Sequence, residues 1–214
     1  MPDSLAARPE DIFILTETSA GPGTTYLLGQ FRRAGYDTVK TPDTGGERGT
    51  ALISRVPLGS DLTPGLAAVT IPCRVAAAVL KTDPAIAVIG VYVPSRDRSA
   101  AKTERKQNFI SSLLAALDTL PPDLTRNAIV GGDYNVIGRD HRPLHPGFLP
   151  FEFGLLVGLR ERGLADAYEF PRPAPRPTAG SAAPAMTLTL RADAGRLDHG
   201  NPATAGADSA PTLF

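Results

Sequence analysis

An acidic residue and an amide side chain follow a short apolar stretch in the sequence AIVGGDYNV, residues 128–136. The apolar residues predict the end of a buried strand, and the two glycines allow the backbone to turn in conformations that a Cβ would resist. Asp133 and Asn135 come directly after this turn, where α/β proteins usually place their sites. A carboxylate there suits a general base or a metal-facing ligand. The same residue types also form ordinary tight turns, so this stretch alone leaves both interpretations open.

Three further polar residues close other predicted strands. Glu17 follows the apolar run DIFIL, Tyr92 lies at the end of the longest β-like run, and Asp198 lies in the sequence RLDH. Taken singly, each has an ordinary interpretation. Glu17 could be a helix-start carboxylate, Tyr92 a core aromatic ring and Asp198 a turn residue. Their order along the chain, together with the pair described above, is what favours a shared site.

The elements that must position these residues alternate irregularly. The apolar spacing of residues 100–117 predicts the longest helix, which Pro121 and Pro122 would end. Because strands often follow strands directly, the pattern predicts an α/β (α+β) fold with mixed sheets covered by helices. The predicted strands are residues 11–15 (fully buried), 36–39, 50–54, 67–71, 75–80, 85–93, 128–130 and 186–190, and the other helices are residues 25–34 and 151–162.

The composition is that of a soluble globular protein, since 42% of the 214 residues are hydrophobic and 21% are charged. The 22 basic and 22 acidic residues cancel, so no strong overall attraction to nucleic acid is indicated, although a local basic patch remains possible. Cys73 is the single cysteine, and no signal-peptide pattern or membrane-spanning apolar run occurs. We therefore expect a cytoplasmic monomer that does not enter a membrane.

The ordered motifs resemble those of the endonuclease/exonuclease/phosphatase superfamily, nearest to its exonuclease III-like branch of metal-dependent phosphohydrolases. Each motif is a modest signal alone, and five in the family's order over residues 8–199 are a specific one. The matching stretches are DIFILTE at 11–17, GTALISR at 49–55, VYVP at 91–94, GDYN at 132–135 and RLDH at 196–199.

The resemblance implies a four-layer sandwich of two mixed β-sheets flanked by helices. We expect a single domain over residues 1–199. Residues 200–214 are small, polar and without pattern, and they predict an irregular C-terminal tail.

The resemblance also implies a phosphodiester or phosphomonoester hydrolase that uses Mg²⁺ or Mn²⁺, with Glu17 as a metal ligand. Asp133 would orient and deprotonate the attacking water, and Asn135 would hold Asp133 and a phosphate oxygen. The Tyr92 hydroxyl would donate to the phosphate. Asp198 would orient a histidine from a later strand. DNA, another nucleic acid, an inositol phosphate and a lipid head group all remain open as substrates.

Two parts of the family pattern do not occur in the 214 residues. One is an early strand ending in Trp-Asn, and the other is a final Ser-Asp-His triplet, whose nearest trace is ADSAP at residues 207–211. His141 and His145 have a spacing that would need a helix to bind one metal ion, and the prolines around them argue against a helix. We therefore expect a chain that is truncated or altered at both ends, with edge strands missing and activity impaired.

Two alternatives remain. The first is a catalytically silent chain with the family fold that acts as a binding protein or has no function. The second is an unrelated α/β binding protein, which would require that Glu17, Asp133 and Asp198 do not converge in space.

Overall fold

The computed structural model describes residues 10–42, 44–139, 141–143 and 145–167, and the backbone of residues 187–191. Its strands are β1 (Ile12–Thr18), β2 (Asp37–Lys40), β3 (Gly49–Ser54), β4 (Leu58–Asp61), β5 (Val75–Leu80), β6 (Ile86–Tyr92), β7 (Ala128–Asp133), β8 (Leu164–Asp166) and β9 (Thr187–Arg191). Its helices are α1 (Pro22–Arg33), α2 (Ala100–Leu117), α3 (Pro122–Arg126) and α4 (Pro150–Glu161), with 3₁₀ turns at Thr63–Leu66 and Pro72–Arg74.

The strands form two sheets. The smaller sheet has the order β1-β3-β2 and is antiparallel throughout. The larger sheet has the order β4-β5-β6-β7-β9-β8, and it is mixed because β6 and β7 run parallel while its other neighbours are antiparallel. A parallel pair needs a crossover connection, which α2 and α3 supply. The carboxyl ends of β6 and β7 therefore lie at the same edge of the sheet.

Helices cover the outer face of each sheet, so the molecule has four layers. Successive residues of a strand face opposite sides, and in β3 the side chains of Ala51 and Ile53 pack under α1 while Leu52 packs between the sheets. The predicted fold class is confirmed, with the detail that only the larger sheet is mixed. The outer core of the larger sheet includes Phe109, Leu113, Leu155, Leu159, Ile89, Val91 and Val130.

The prediction that residues 11–15 are fully buried is wrong. The side chains of β1 from Ile12 to Leu15 are only partly buried. Its side chains alternate between two faces, so that Phe13 packs under α1 and Ile14 packs between the sheets. However, β1 stands at the end of its sheet's strand order, so in the described part of the chain it has one strand neighbour.

The prediction of a strand at residues 67–71 is also wrong. The partner of β5 is β4, and residues 67–71 form turns and bends between the two 3₁₀ turns. The apolar character of this segment comes from burial, because Val69 is 1% exposed and packs with Leu66 against the core of the larger sheet. An apolar anchor in a loop and a short strand look alike in sequence.

The remaining predicted elements form close to their expected bounds, including the helix at residues 100–117 and the strand at residues 186–190. Residues 200–214 and Asp198 lie outside the described residues, so the predicted tail and domain bounds stay predictions. Among the helices that are described, none is both long enough and apolar enough to cross a membrane.

Gly90 lies in β6 at the contact between the two sheets. A Cβ added there would lie 2.8 Å from Ile14 Cγ2 and 3.0 Å from Leu52 Cδ2, both closer than ordinary packing allows. The missing side chain therefore lets β1 and β3 approach β6 closely.

We predict that Gly90→Ala destabilises the fold by about 1–3 kcal/mol, because the added methyl group overpacks this contact. Gly29 provides a matched control, since it lies in α1 with nothing within 4 Å of an added Cβ. Gly29→Ala should stabilise the protein by roughly 0.5–1 kcal/mol through helix propensity. Denaturant unfolding of both variants measures the difference, and equal stability of the two would contradict the packing argument.

Candidate active site

Glu17 lies in a β-bulge near the end of β1. Leu15 pairs with Ala51 and Thr18 pairs with Gly49, so two residues of β1 oppose one residue of β3. Glu17 has φ +59°, in the left-handed region that residues with a Cβ rarely adopt. Bulges re-aim side chains and are common beside active sites. Here the bulge leaves the Glu17 side chain exposed.

Tyr92 is the last residue of β6, and its ring links the two sheets. Its hydroxyl donates a hydrogen bond to Glu17 Oε1 at 3.2 Å. The guanidinium carbon of Arg74 lies 4.2 Å from the centre of the Tyr92 ring, a cation–π contact. Burial raises the pKa of the Tyr92 phenol above its ordinary value of 10.0, the nearby charge of Glu17 adds to the rise, and Arg74 opposes it. The phenol therefore remains a hydrogen-bond donor at neutral pH.

Asp133 ends β7 directly beside Tyr92, because these two residues are partners in the parallel register. The preceding Gly132 has φ +127°, and a Cβ on it would lie 2.1 Å from the carbonyl oxygen of Val91. Glycine is therefore required at this position. The close approach of the two strands presents Asp133 at the carboxyl edge of the sheet.

Asn135 donates hydrogen bonds to both oxygens of the Asp133 carboxylate. The Asn135 backbone N–H donates to Asp133 Oδ1 at 3.0 Å, and Nδ2 donates to Oδ2 at 3.0 Å. Nδ2 also donates to the Val93 carbonyl at 2.9 Å, which ties the chain after β7 to the chain after β6. Asn135 has φ +47°, so its backbone, like that of Glu17, lies in the left-handed region.

The structure thus brings together four of the five residues predicted from sequence. Glu17, Tyr92, Asp133 and Asn135 lie at one edge of the packed sheets. Asp198 lies outside the described residues. The roles of all five residues remain predictions.

Arg74 and its partners are neighbours of this site that the sequence analysis missed. Arg74 is 8% exposed, and its Nη2 donates to Glu47 at 3.2 Å. Arg105 on α2 also pairs with Glu47. Burial raises the pKa of the Glu47 carboxyl, but the hydrogen bonds from Arg105 and Arg74 outweigh this and lower it overall. No local pattern marks these three residues, because they come from separate segments.

A second buried network lies behind Asn135. Lys106 on α2 donates to the Asn135 carbonyl and to Glu152 Oε1, both at 2.6 Å. Arg96 pairs with Glu152 Oε2 at 2.6 Å. Burial raises the pKa of the Glu152 carboxyl, but the bonds from Arg96 and Lys106 lower it overall, so Glu152 is ionised.

His141 and His145 lie on the loop between β7 and α4. Their ring centres are 5.3 Å apart and both residues are exposed. Within the described ranges, no group of three or more His, Cys, Asp or Glu side chains is placed to hold a metal ion.

The donor chemistry at the site edge nevertheless fits a hard divalent cation. Mg²⁺ keeps several waters and is usually held by one or two carboxylates together with substrate phosphates. The exposed carboxylate of Glu17 offers one such ligand, and the Asp133 carboxylate lies at the same edge. Oxygen ligands from water and substrate would complete the coordination.

Solved structures with the same fold include an AP endonuclease from Archaeoglobus fulgidus, with a TM-score of 0.60 and 22% identity. A 3′-5′ exonuclease from Neisseria meningitidis matches with a TM-score of 0.59 and 23% identity, and a 3′ phosphatase from Neisseria bound to a product DNA hairpin with 0.57 and 21%. The matches cover 77–78% of this chain and 65–66% of each of those chains, so this chain spans about two thirds of their length.

At these identities the structural likeness establishes the fold. A comparison of the sequence with curated proteins finds no significant match. The sequence profile of the Endonuclease/Exonuclease/phosphatase family matches residues 2–199, which is most of the chain. The chain therefore belongs to the endonuclease/exonuclease/phosphatase family.

Proposed function

We propose that this chain is a metal-dependent phosphoesterase that hydrolyses phosphodiester bonds with Mg²⁺ or Mn²⁺ as its cofactor. The observation that carries the proposal is the position of Tyr92, which donates to Glu17 and pairs in register with Asp133. The Glu17 carboxylate, the neutral Tyr92 hydroxyl and the Asp133 carboxylate therefore lie together at one edge of the packed sheets. Hydrolysis of a phosphate ester uses these three kinds of group.

Asp133 is the proposed general base. Its carboxylate would accept a proton from the water that attacks phosphorus. The two hydrogen bonds from Asn135 fix the plane of this carboxylate, so that it is held in place before the substrate arrives. Asn135 is therefore proposed to orient the base and to contact a phosphate oxygen.

Tyr92 and Glu17 are proposed to act on the phosphate itself. The Tyr92 hydroxyl is protonated at neutral pH, and its single proton would turn from Glu17 Oε1 to a phosphate oxygen as negative charge builds up there. Glu17 would bind the divalent cation, which neutralises charge on the phosphate oxygens. Asp198 keeps its proposed role of orienting a histidine, and its placement carries no argument here.

DNA or another nucleic acid is the proposed substrate class. Similar solved structures include an AP endonuclease, a 3′-5′ exonuclease and a phosphatase bound to a DNA hairpin. Arg74 stacks on the Tyr92 ring. Arg74 and Arg105 together carry one positive charge more than their shared partner Glu47 neutralises, which suits an anionic substrate even though the whole chain has no net charge.

The second candidate function is a catalytically silent binding protein. It is favoured by the sequence, in which no Ser-Asp-His triplet occurs. Loss of one hydrogen-bond donor to the transition state typically costs about 10²- to 10³-fold in turnover. We therefore propose that this 214-residue chain by itself turns over slowly.

We predict that the purified chain shows slight Mg²⁺- or Mn²⁺-dependent hydrolysis of a DNA phosphodiester, and that Asp133→Asn abolishes it. The substitution keeps the side-chain shape and removes the base. Asp123→Asn is the matched control, because Asp123 has a 91% exposed side chain on α3, which precedes the opposite end of β7. A nuclease assay with both variants measures the difference. Equal activity of Asp133→Asn and Asp123→Asn would rule out the proposed base.

We predict that Mg²⁺ binds weakly and that Glu17→Gln weakens it further. The reason is that Glu17 supplies a single well-placed carboxylate, while the family's early Asn is absent from these 214 residues. Isothermal titration calorimetry measures the affinity, with Asp123→Asn again as the control. Tight binding that survives Glu17→Gln would show that other ligands hold the ion.

A further inference from the structure

Lys106 is a lysine that the fold buries almost completely. Its side chain is 2% exposed although it lies in the early turns of a long helix, and its partner Glu152 is 1% exposed. A buried ammonium group is unfavourable unless it is paired and hydrogen-bonded. Lys106 Nζ has three N–H donors, and it donates to Glu152 Oε1 and to the backbone carbonyl of Asn135, both at 2.6 Å. It also lies 5.8 Å from the centre of the Phe148 ring.

The contact with Asn135 is the informative one. A lysine that served only to neutralise Glu152 would need no contact with the chain after β7. Arg96 already donates to Glu152 through Nε at 3.0 Å and through Nη2 at 2.6 Å. The Leu149 backbone N–H adds a further bond at 2.8 Å. These three bonds all go to Glu152 Oε2, so Lys106 is the partner of Oε1 and also the charged donor to the Asn135 carbonyl.

Asn135 has a left-handed backbone conformation, with φ +47°. Asparagine adopts this region more readily than other residues with a side chain, so the question is what selects it here. In this conformation both the backbone N–H and Nδ2 of Asn135 reach the Asp133 carboxylate. The bond from Lys106 to the Asn135 carbonyl fixes the same residue from its other side.

We infer that Lys106 is a positioning residue, whose ammonium group fixes the left-handed conformation of Asn135 and thereby the orientation of the Asp133 carboxylate. The Glu152 carboxylate stabilises the buried ammonium group, and Arg96 holds that carboxylate in place. The effect of Lys106 on catalysis rests on the proposed function. Its effect on the conformation of Asn135 holds whether or not the chain is active.

The test compares the unmodified chain with two variants that lack the ammonium group. The reference is the unmodified chain, and Lys106→Met removes the ammonium group while Glu152 Oε2 keeps its bonds from Arg96 and Leu149. Lys106→Met/Glu152→Gln removes both charges together, which avoids leaving Glu152 buried with one counterion fewer. Lys102→Met is a control on the same helix, since Lys102 is 58% exposed and pairs with Asp97 at the surface. Thermal unfolding of all three establishes that each is folded.

The primary readout is hydrogen exchange of single backbone amides, measured by NMR without substrate or metal. The Asn135 amide, which donates to Asp133 Oδ1, should exchange at least about tenfold faster in Lys106→Met and in the double variant than in the unmodified chain. The Val93 amide donates to the Asp133 carbonyl and reports on the strand ends. Its exchange should change much less. Protection of Asn135 equal to that in the unmodified chain, or an equal loss at Val93, would overturn the inference.

The secondary readout is kinetic. If the chain hydrolyses a DNA phosphodiester, kcat of Lys106→Met and of the double variant should fall about 10- to 100-fold below that of the unmodified chain, with KM within about twofold. Lys102→Met should match the unmodified chain. A change in KM with kcat preserved would contradict a role in orienting the base. Absence of hydrolysis in the unmodified chain would refute the proposed function, and the exchange experiment would still decide the role of Lys106.

Discussion

The two β-sheets meet at Gly90, and the site depends on how closely they meet there. A methyl group at this position would lie 2.8 Å from a methyl of Ile14 in β1. The hydrogen bond from Tyr92 to Glu17 joins the larger sheet to the smaller one across the same contact. Because interiors are packed without slack, a wider separation of the sheets would move the two halves of the site apart. The geometry of the site is therefore a consequence of core packing.

Two residues at this edge have left-handed backbone conformations, and contacts with neighbouring elements hold both of them in place. Glu17 and Asn135 are the residues with a side chain and positive φ in the described part of the chain. Glu17 is held in a bulge opposite β3, and Asn135 is held by the buried charge of Lys106. Conformations of this kind cluster at functional sites because their neighbours enforce them. Their coincidence with two residues chosen from sequence is independent support for the proposed site.

The sequence predicted the elements and the site residues that have local signals. The helix Ala100–Leu117 forms at its predicted bounds because its apolar spacing is regular, and Asp133 ends its strand because glycines precede it. The supporting charges could not be predicted in this way. Lys106 meets a carboxylate 46 positions away, and Arg74 stacks on a ring 18 positions away, so only tertiary structure reveals them. Residues 67–71 were mistaken for a strand because a buried loop anchor has the same composition.

The proposed function requires one divalent cation site where Glu17 and the ends of β6 and β7 meet. Titration with Mn²⁺ followed by NMR locates such a site, because broadening of a resonance by the paramagnetic ion falls off steeply with distance. We expect the backbone amides of Glu17, Tyr92 and Asp133 to broaden first, and Glu17→Gln to shift this broadening to higher Mn²⁺ concentration. Broadening that begins at another acidic surface, or that Glu17→Gln leaves unchanged, would show that Glu17 does not bind the ion.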